Sequence, residues 1–244
     1  MAPFFAGAIL IYLRAAESGR TGAAVLAGVL AGLAFLAKYA GAYFLIGAGL
    51  AAAFVPSVRL AVRGWLVLLA AFGATILPNL LWNRANKLAT FEHTMDNVGW
   101  IRGESWLAGL NLPGLAEFLL AQFAVAGPLV FAAILWGYAR PGQARLRALA
   151  LLSAPALLMV SVQALLDKAY ANWAVAAYFA GTVLAVAVMH ARAPRLLPVS
   201  AAINGAVSVL LPLCAVLAPW PLRDGEPLLA RYLGRGDLSR QIIA

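Results

Sequence analysis

Four short stretches carry the side chains that could hold or transform a polar molecule. In the first, Lys38 follows the apolar run GLAFLA and is followed by Tyr39-Ala40-Gly41. Its ammonium would stand at the end of a hydrophobic helix, where it can meet an anionic headgroup or a lipid-linked phosphate, with Tyr39 as a neighbouring contact. A lysine there can equally snorkel to the interface. The second, PNLLWNR, ends in Trp82, Asn83 and Arg84. Trp82 suits an interfacial belt, while an amide and a planar guanidinium can hold sugar hydroxyls and phosphate respectively. In the third, DKAYANW, Asp167 and Lys168 can simply pair in water, and Asn172-Trp173 would give a polar ligand an amide and a ring to stack on; an interfacial anchor fits the same pair. The fourth places His93 between Glu92 and Asp96, an imidazole beside carboxylates that would titrate near neutrality. His93 is the weak catalytic candidate, because no nucleophile or second base stands at a fixed spacing from it.

Other chemistries find no matching pattern. Gly-rich phosphate loops, GxSxG and HExxH are absent. Cys214 is the single cysteine, and His93 and His190 are the only histidines, so no zinc-type cluster can be assembled. Acidic loop residues could hold a divalent metal, but nothing supports one, and no cofactor is expected.

The elements that position these residues must live in lipid. Of the 244 residues 64% are hydrophobic and 11% charged, with a mean hydropathy of +0.88; a soluble domain carries about 25% charge. The net charge of +9 does not read as a nucleic-acid surface, because the basic residues sit in short gaps between apolar runs rather than in a stripe interleaved with aromatics. Eight runs stand out, at 2–16, 22–37, 39–55, 64–81, 116–138, 148–166, 172–190 and 196–218. They predict an all-α, polytopic transmembrane bundle of about eight spans over 1–218, with a polar loop at 82–115 and a polar segment at 219–244. A single helix from Gly22 to Val55 would be about 51 Å long, against a hydrocarbon core of about 30 Å. The chain should therefore turn near Lys38-Tyr39-Ala40-Gly41.

Alternation of the spans puts Arg14, Arg20, Arg59, Arg63, Arg140, Arg145, Arg147, Arg192 and Arg195 on one face, which the positive-inside rule makes cytoplasmic. Lys38, Arg84, Lys87, Arg102 and Lys168 fall on the other. Asp237 reads as an N-cap for a helix that stops at Ala244, and Met1 leads straight into an apolar run, so the chain is expected to be a piece of a longer protein.

GLAFLAKYAGAY, PNLLWNRANKLATFEHTMDN, KAYANWAVAAY and RDGEPLLARYLGRGDLSRQI, in that order and spacing, together resemble the bacterial membrane glycosyltransferases of family 39. That family is similar to protein O-mannosyltransferases and to the lipid A aminoarabinose transferase. The resemblance implies a GT-C type fold and transfer of a sugar from a polyprenyl-phosphate carrier to a lipid or protein acceptor at the non-cytoplasmic face of the bacterial inner membrane. It further implies Lys38 as the partner of the carrier phosphate, and a catalytic carboxylate in a first outer loop. No such acidic pair precedes Lys38, so that carboxylate is expected upstream of Met1 and this chain alone is expected to be inactive. Asn83, Arg84, Lys168, Asn172 and Trp173 fall in family-like segments and are the remaining substrate-binding candidates. A transporter is the rival reading, although internal repeats and charges within spans are lacking; a non-catalytic membrane subunit is the third.

Overall fold

The computed structural model describes residues 1–97, 110–140 and 142–217. Among them every regular element is helical: α1 (Ala2–Ser18), α2 (Thr21–Ala37), α3 (Tyr43–Phe54), α4 (Val62–Ala85), α5 (Ala89–Asn97), α6 (Leu112–Val125), α7 (Pro128–Ala139), α8 (Ala144–Leu166), α9 (Val175–Arg192) and α10 (Leu196–Leu217). The protein is a helical membrane bundle. Met1–Pro194 forms one compact unit, and α10 opens a second, which begins at Arg195. By length and composition four helices can cross a bilayer, namely α4, α8, α9 with its leading turn, and α10, or five if α6 and α7 count as one bent crossing. α2 and α3 are shorter apolar helices.

Lipid offers no hydrophobic drive to bring one apolar helix to another, so close approach and dispersion must do it. α2 shows how. Its packed face is Ala24, Ala27, Gly28, Ala31, Gly32 and Ala34, with the two glycines at GxxxG spacing. A Cβ on Gly28 would stand 2.2 Å from the Leu68 carbonyl oxygen, and one on Gly32 2.6 Å from Thr75 Cβ, so the α2 and α4 backbones are nearly in contact. The opposite face of α4 keeps Leu66, Leu69, Leu77, Leu80 and Leu81 exposed, as lipid would have them. Larger side chains fill the space between α1, α3 and α9: Phe5 meets Phe44 and Phe179, and Tyr12 meets Phe44 and Trp65. The fully buried Tyr12 hydroxyl lies 2.8 Å from the Val58 carbonyl and 3.1 Å from that of Ala48, tying α1 to the middle of α3 and to the end of the turn after it.

Two breaks shape the bundle. α2 stops because Lys38 is extended (φ −165°, ψ 132°), and a short 3-10 turn at Tyr39–Ala42 leads into α3, so the chain breaks where the length argument required. The run 116–138, expected as one span, is instead two helices bent by 116°. Gly127 takes φ 89°, a region closed to most side chains, and Pro128 has no N–H to continue the ladder. Where the sequence ended the fourth span at 81, the helix runs on to Ala85.

The basic loops gather at one end. Glu17 at the end of α1 lies 3.9 Å from Arg145 in the first turn of α8, and Arg140 after α7 and Arg192 in the last turn of α9 share the Trp136 ring. The other end, where α2 stops and α9 begins, carries the cavity.

Candidate functional site

Five segments converge on a cavity of about 660 Å³. The end of α2 and the turn after it supply Lys38, Tyr39 and, at the start of α3, Tyr43. Thr90 and Thr94 come from α5, Val160 from α8, and Tyr170 and Trp173 from the turn before α9. Gly41 lets the 3-10 turn fold back on α2, since a Cβ there would lie 2.4 Å from the Phe35 nitrogen. Ring contacts fix the walls: Tyr39 lies 4.8 Å from Phe35, and Tyr170 and Trp173 meet edge to face at 5.4 Å.

Lys38 is the one charged group in the described lining, and no carboxylate faces it there. Among the described residues its ammonium has no hydrogen-bond or ion-pair partner. Partial burial lowers its pKa from the ordinary lysine value, because removing water penalises the charged form. An unmatched cation in a cavity rimmed by hydroxyls and rings asks for an anion attached to something that can stack. At the rim a second cation waits: the Lys168 ammonium stands 4.9 Å from the centre of the Tyr170 ring. Lys168 is otherwise exposed, and its carbonyl accepts from the Gln163 amide at 3.2 Å.

Of the residues singled out in the sequence, Lys38, Tyr39 and Trp173 line the cavity and Lys168 touches its wall. Asn172 and Arg84 are exposed and do not line it. Asn83 is buried, but its amide is used within the protein: Nδ2 donates to the Asn79 carbonyl at 3.0 Å, and Oδ1 accepts the Thr90 N–H at 3.2 Å. It thus holds the first turn of α5 against the end of α4, across a linker in which Lys87 and Leu88 both take positive φ. The side chain of His93 lies outside the described residues, as do 98–109 of the polar loop and 218–244. Glu92 and Asp96 are exposed. At about 100° per residue both lie roughly 200° around α5 from Thr90 or Thr94, away from the cavity.

Sequence reasoning missed Tyr43, Thr90, Thr94 and Tyr170. Tyr39/Tyr43 and Thr90/Thr94 each stand four residues apart, the spacing of one helical face. That signal was present but carries no charge to draw attention.

If Asn83 works by placing α5, Asn83→Ala should free that wall. Removing a capping acceptor costs about 0.5–2 kcal/mol. Hydrogen exchange at Thr90 should rise while exchange in the middle of α8 stays unchanged; unaltered exchange at Thr90 would refute the role.

Comparison with known proteins places this bundle beside one of stated activity. The chain is 39% identical over 246 residues to the lipid A galacturonosyltransferase RgtD of Rhizobium johnstonii, a match that covers 99% of the chain and 51% of that protein. The chain thus spans about half the length of the curated relative it matches. No protein-family model matches the chain. No solved structure matches it either.

Proposed function

We propose that this chain is the carrier-binding part of a membrane glycosyltransferase of the GT-C type, related to family 39. In this reading it takes a sugar from a polyprenyl-phosphate carrier and acts toward a lipid acceptor at the non-cytoplasmic face of the inner membrane. The observation that carries the reading is the Lys38 ammonium, unpartnered among the described residues, at the C-terminal end of α2, where it lines an open cavity with no carboxylate in its described walls. Similarity to a lipid A galacturonosyltransferase over nearly the whole chain supports both the class and the lipid acceptor. The residues divide the work by chemistry. Lys38 neutralises the carrier phosphate, Tyr170 and Trp173 stack on the sugar, and Lys168 at the rim meets an anionic substituent such as a uronic carboxylate. The described walls supply binding and orientation but no base, so the acid-base step falls to a carboxylate outside them.

A polyprenyl phosphate carrying a diazirine near its headgroup, photolysed with the purified chain, should label peptides containing 36–43 and 170–173. Unlabelled polyprenyl phosphate should compete and phosphatidic acid should not. Labelling confined to other segments, or equal competition by phosphatidic acid, would overturn the assignment.

The orientation has its own test. With Cys214→Ser as background, single cysteines at Ala85 and Gln143, both exposed and at opposite ends of the unit, should react with an impermeant maleimide from opposite sides of the membrane, Ala85 from outside. Reaction from one side alone would reverse or break the topology.

A further inference from the structure

Arg140 caps the end of α7 and Arg192 is the last residue of α9, and the two side chains converge on a single indole. The Arg140 guanidinium carbon lies 5.1 Å from the centre of the Trp136 ring and that of Arg192 5.5 Å, which holds the two cations within about 11 Å of each other. The helices are drawn together where Gly137 meets Leu184, as a Cβ on Gly137 would stand 2.7 Å from the leucine Cδ2. Like charges gathered this way call for a counter-ion. Among the described residues neither guanidinium has a carboxylate within 4.0 Å or donates a hydrogen bond, and Glu17 at the same end lies beside Arg145 instead. Trp136 is 43% exposed, so the cluster is open to whatever surrounds the protein.

Depth decides what that is. Arg192 closes the last turn of a helix long and apolar enough to cross a bilayer, which sets its guanidinium at headgroup level. Tryptophan prefers that same layer. A guanidinium resting against a ring keeps its N–H edge free, and that edge matches phosphate oxygens two at a time. The cavity around Lys38 is remote, since α9 starts beside it and its 18 residues put Arg192 roughly 27 Å away along the axis.

We propose that Arg140, Trp136 and Arg192 bind the phosphate of an anionic phospholipid at the arginine-rich end of the bundle. The two forks clamp the phosphate, and the indole lies against the glycerol and upper acyl chains. The site is independent of the glycosyltransferase reading.

Native mass spectrometry of the chain released from detergent, titrated with phosphatidylglycerol or phosphatidylcholine, tests it. Phosphatidylglycerol should bind in preference, and Arg140→Gln with Arg192→Gln should weaken it at least about tenfold, the loss expected for two charge-assisted contacts. Arg140→Lys with Arg192→Lys keeps the charge but loses the forks, and should retain only part of the affinity. Trp136→Leu should weaken binding with every charge in place. Arg63→Gln, which removes one charge from the same end, should leave binding unchanged. An equal loss in Arg63→Gln, or full affinity in the double glutamine variant, would overturn the proposal. Displacement of the lipid by millimolar inorganic phosphate would do so as well, by assigning the site to a free ion. Variants are compared only where helical content by circular dichroism equals that of the parent; if the glutamine pair fails this, the lysine pair and Trp136→Leu decide.

Discussion

Gly28→Leu should separate α2 from α4 and abolish the cavity at their far end. The glycine has no room for even a methyl group, because its Cβ would meet a backbone oxygen at 2.2 Å and the Ala71 methyl at 3.0 Å. A carbonyl within a helix cannot swing aside as a side-chain tip can, so the two helices must part. Overpacking a core usually costs about 1–3 kcal/mol, and forcing two backbones apart lies at or above the top of that range. The damage should travel, since α4 carries Asn83, Asn83 places α5, and α5 supplies Thr90 and Thr94 to the cavity wall. Thermal unfolding in detergent, followed by circular dichroism, should shift markedly downward, and binding of polyprenyl phosphate should be lost. Gly73→Leu is the control on α4, where a Cβ would meet nothing within 4 Å. It should be neutral or slightly stabilising, because leucine is a better helix former by a few tenths of a kcal/mol or more. Equal destabilisation by both substitutions would show that the contact does not hold the bundle.

Lys38→Ala should weaken polyprenyl-phosphate binding by about 10- to 100-fold, corresponding to about 1.5–3 kcal/mol for a charge-assisted contact that the bound carrier covers. Lys87→Ala, at an exposed turn residue outside the cavity, should change little. The pH dependence adds a second signature. Burial lowers the Lys38 pKa, so the empty protein gains stability as pH rises through the window between the lowered value and the ordinary lysine value. Phosphate binding has the opposite sign, because it needs the ammonium, and should weaken through that window. Lys38→Ala should flatten both trends. Equal binding by the two alanine variants would reduce Lys38 to an interfacial anchor.

Much of the architecture was written in hydropathy. Continuous apolar runs of 15–23 residues can only be helices in lipid, and simple length excluded a single helix through Lys38. The bend between α6 and α7 had a signal too, in the Gly127-Pro128 pair, but the unbroken apolarity of 116–138 outweighed it. GxxxG in α2 is equally legible, but counting apolar residues measures affinity for lipid, not the closeness of two backbones. For the site, Lys38, Tyr39 and Trp173 were found because each stands at the end of an apolar run. Asn83 stood out for the same reason, yet which partner an amide chooses depends on α5, whose position no local pattern announces. Thr90, Thr94 and Tyr170 are ordinary residues made significant by convergence, and convergence of segments so distant in sequence is a property of the folded chain.

The bend at Gly127 also bears on how the protein is made. α6 and α7, with 14 and 12 residues, reach about 21 and 18 Å, and neither crosses a hydrocarbon core of about 30 Å alone. The insertion machinery, which reads apolarity in passing, meets one stretch long enough to be threaded straight. Lipid cannot satisfy polar groups bared at a broken helix, so the kinked form must wait for protein neighbours. These come later in the chain: Tyr178 of α9 donates to the buried Gln122 of α6, and Ser153 of α8 meets the Tyr138 hydroxyl of α7 at 2.5 Å. The expected order is therefore a straight span first and the kink second, the span bending once α8 and α9 have left the ribosome and docked.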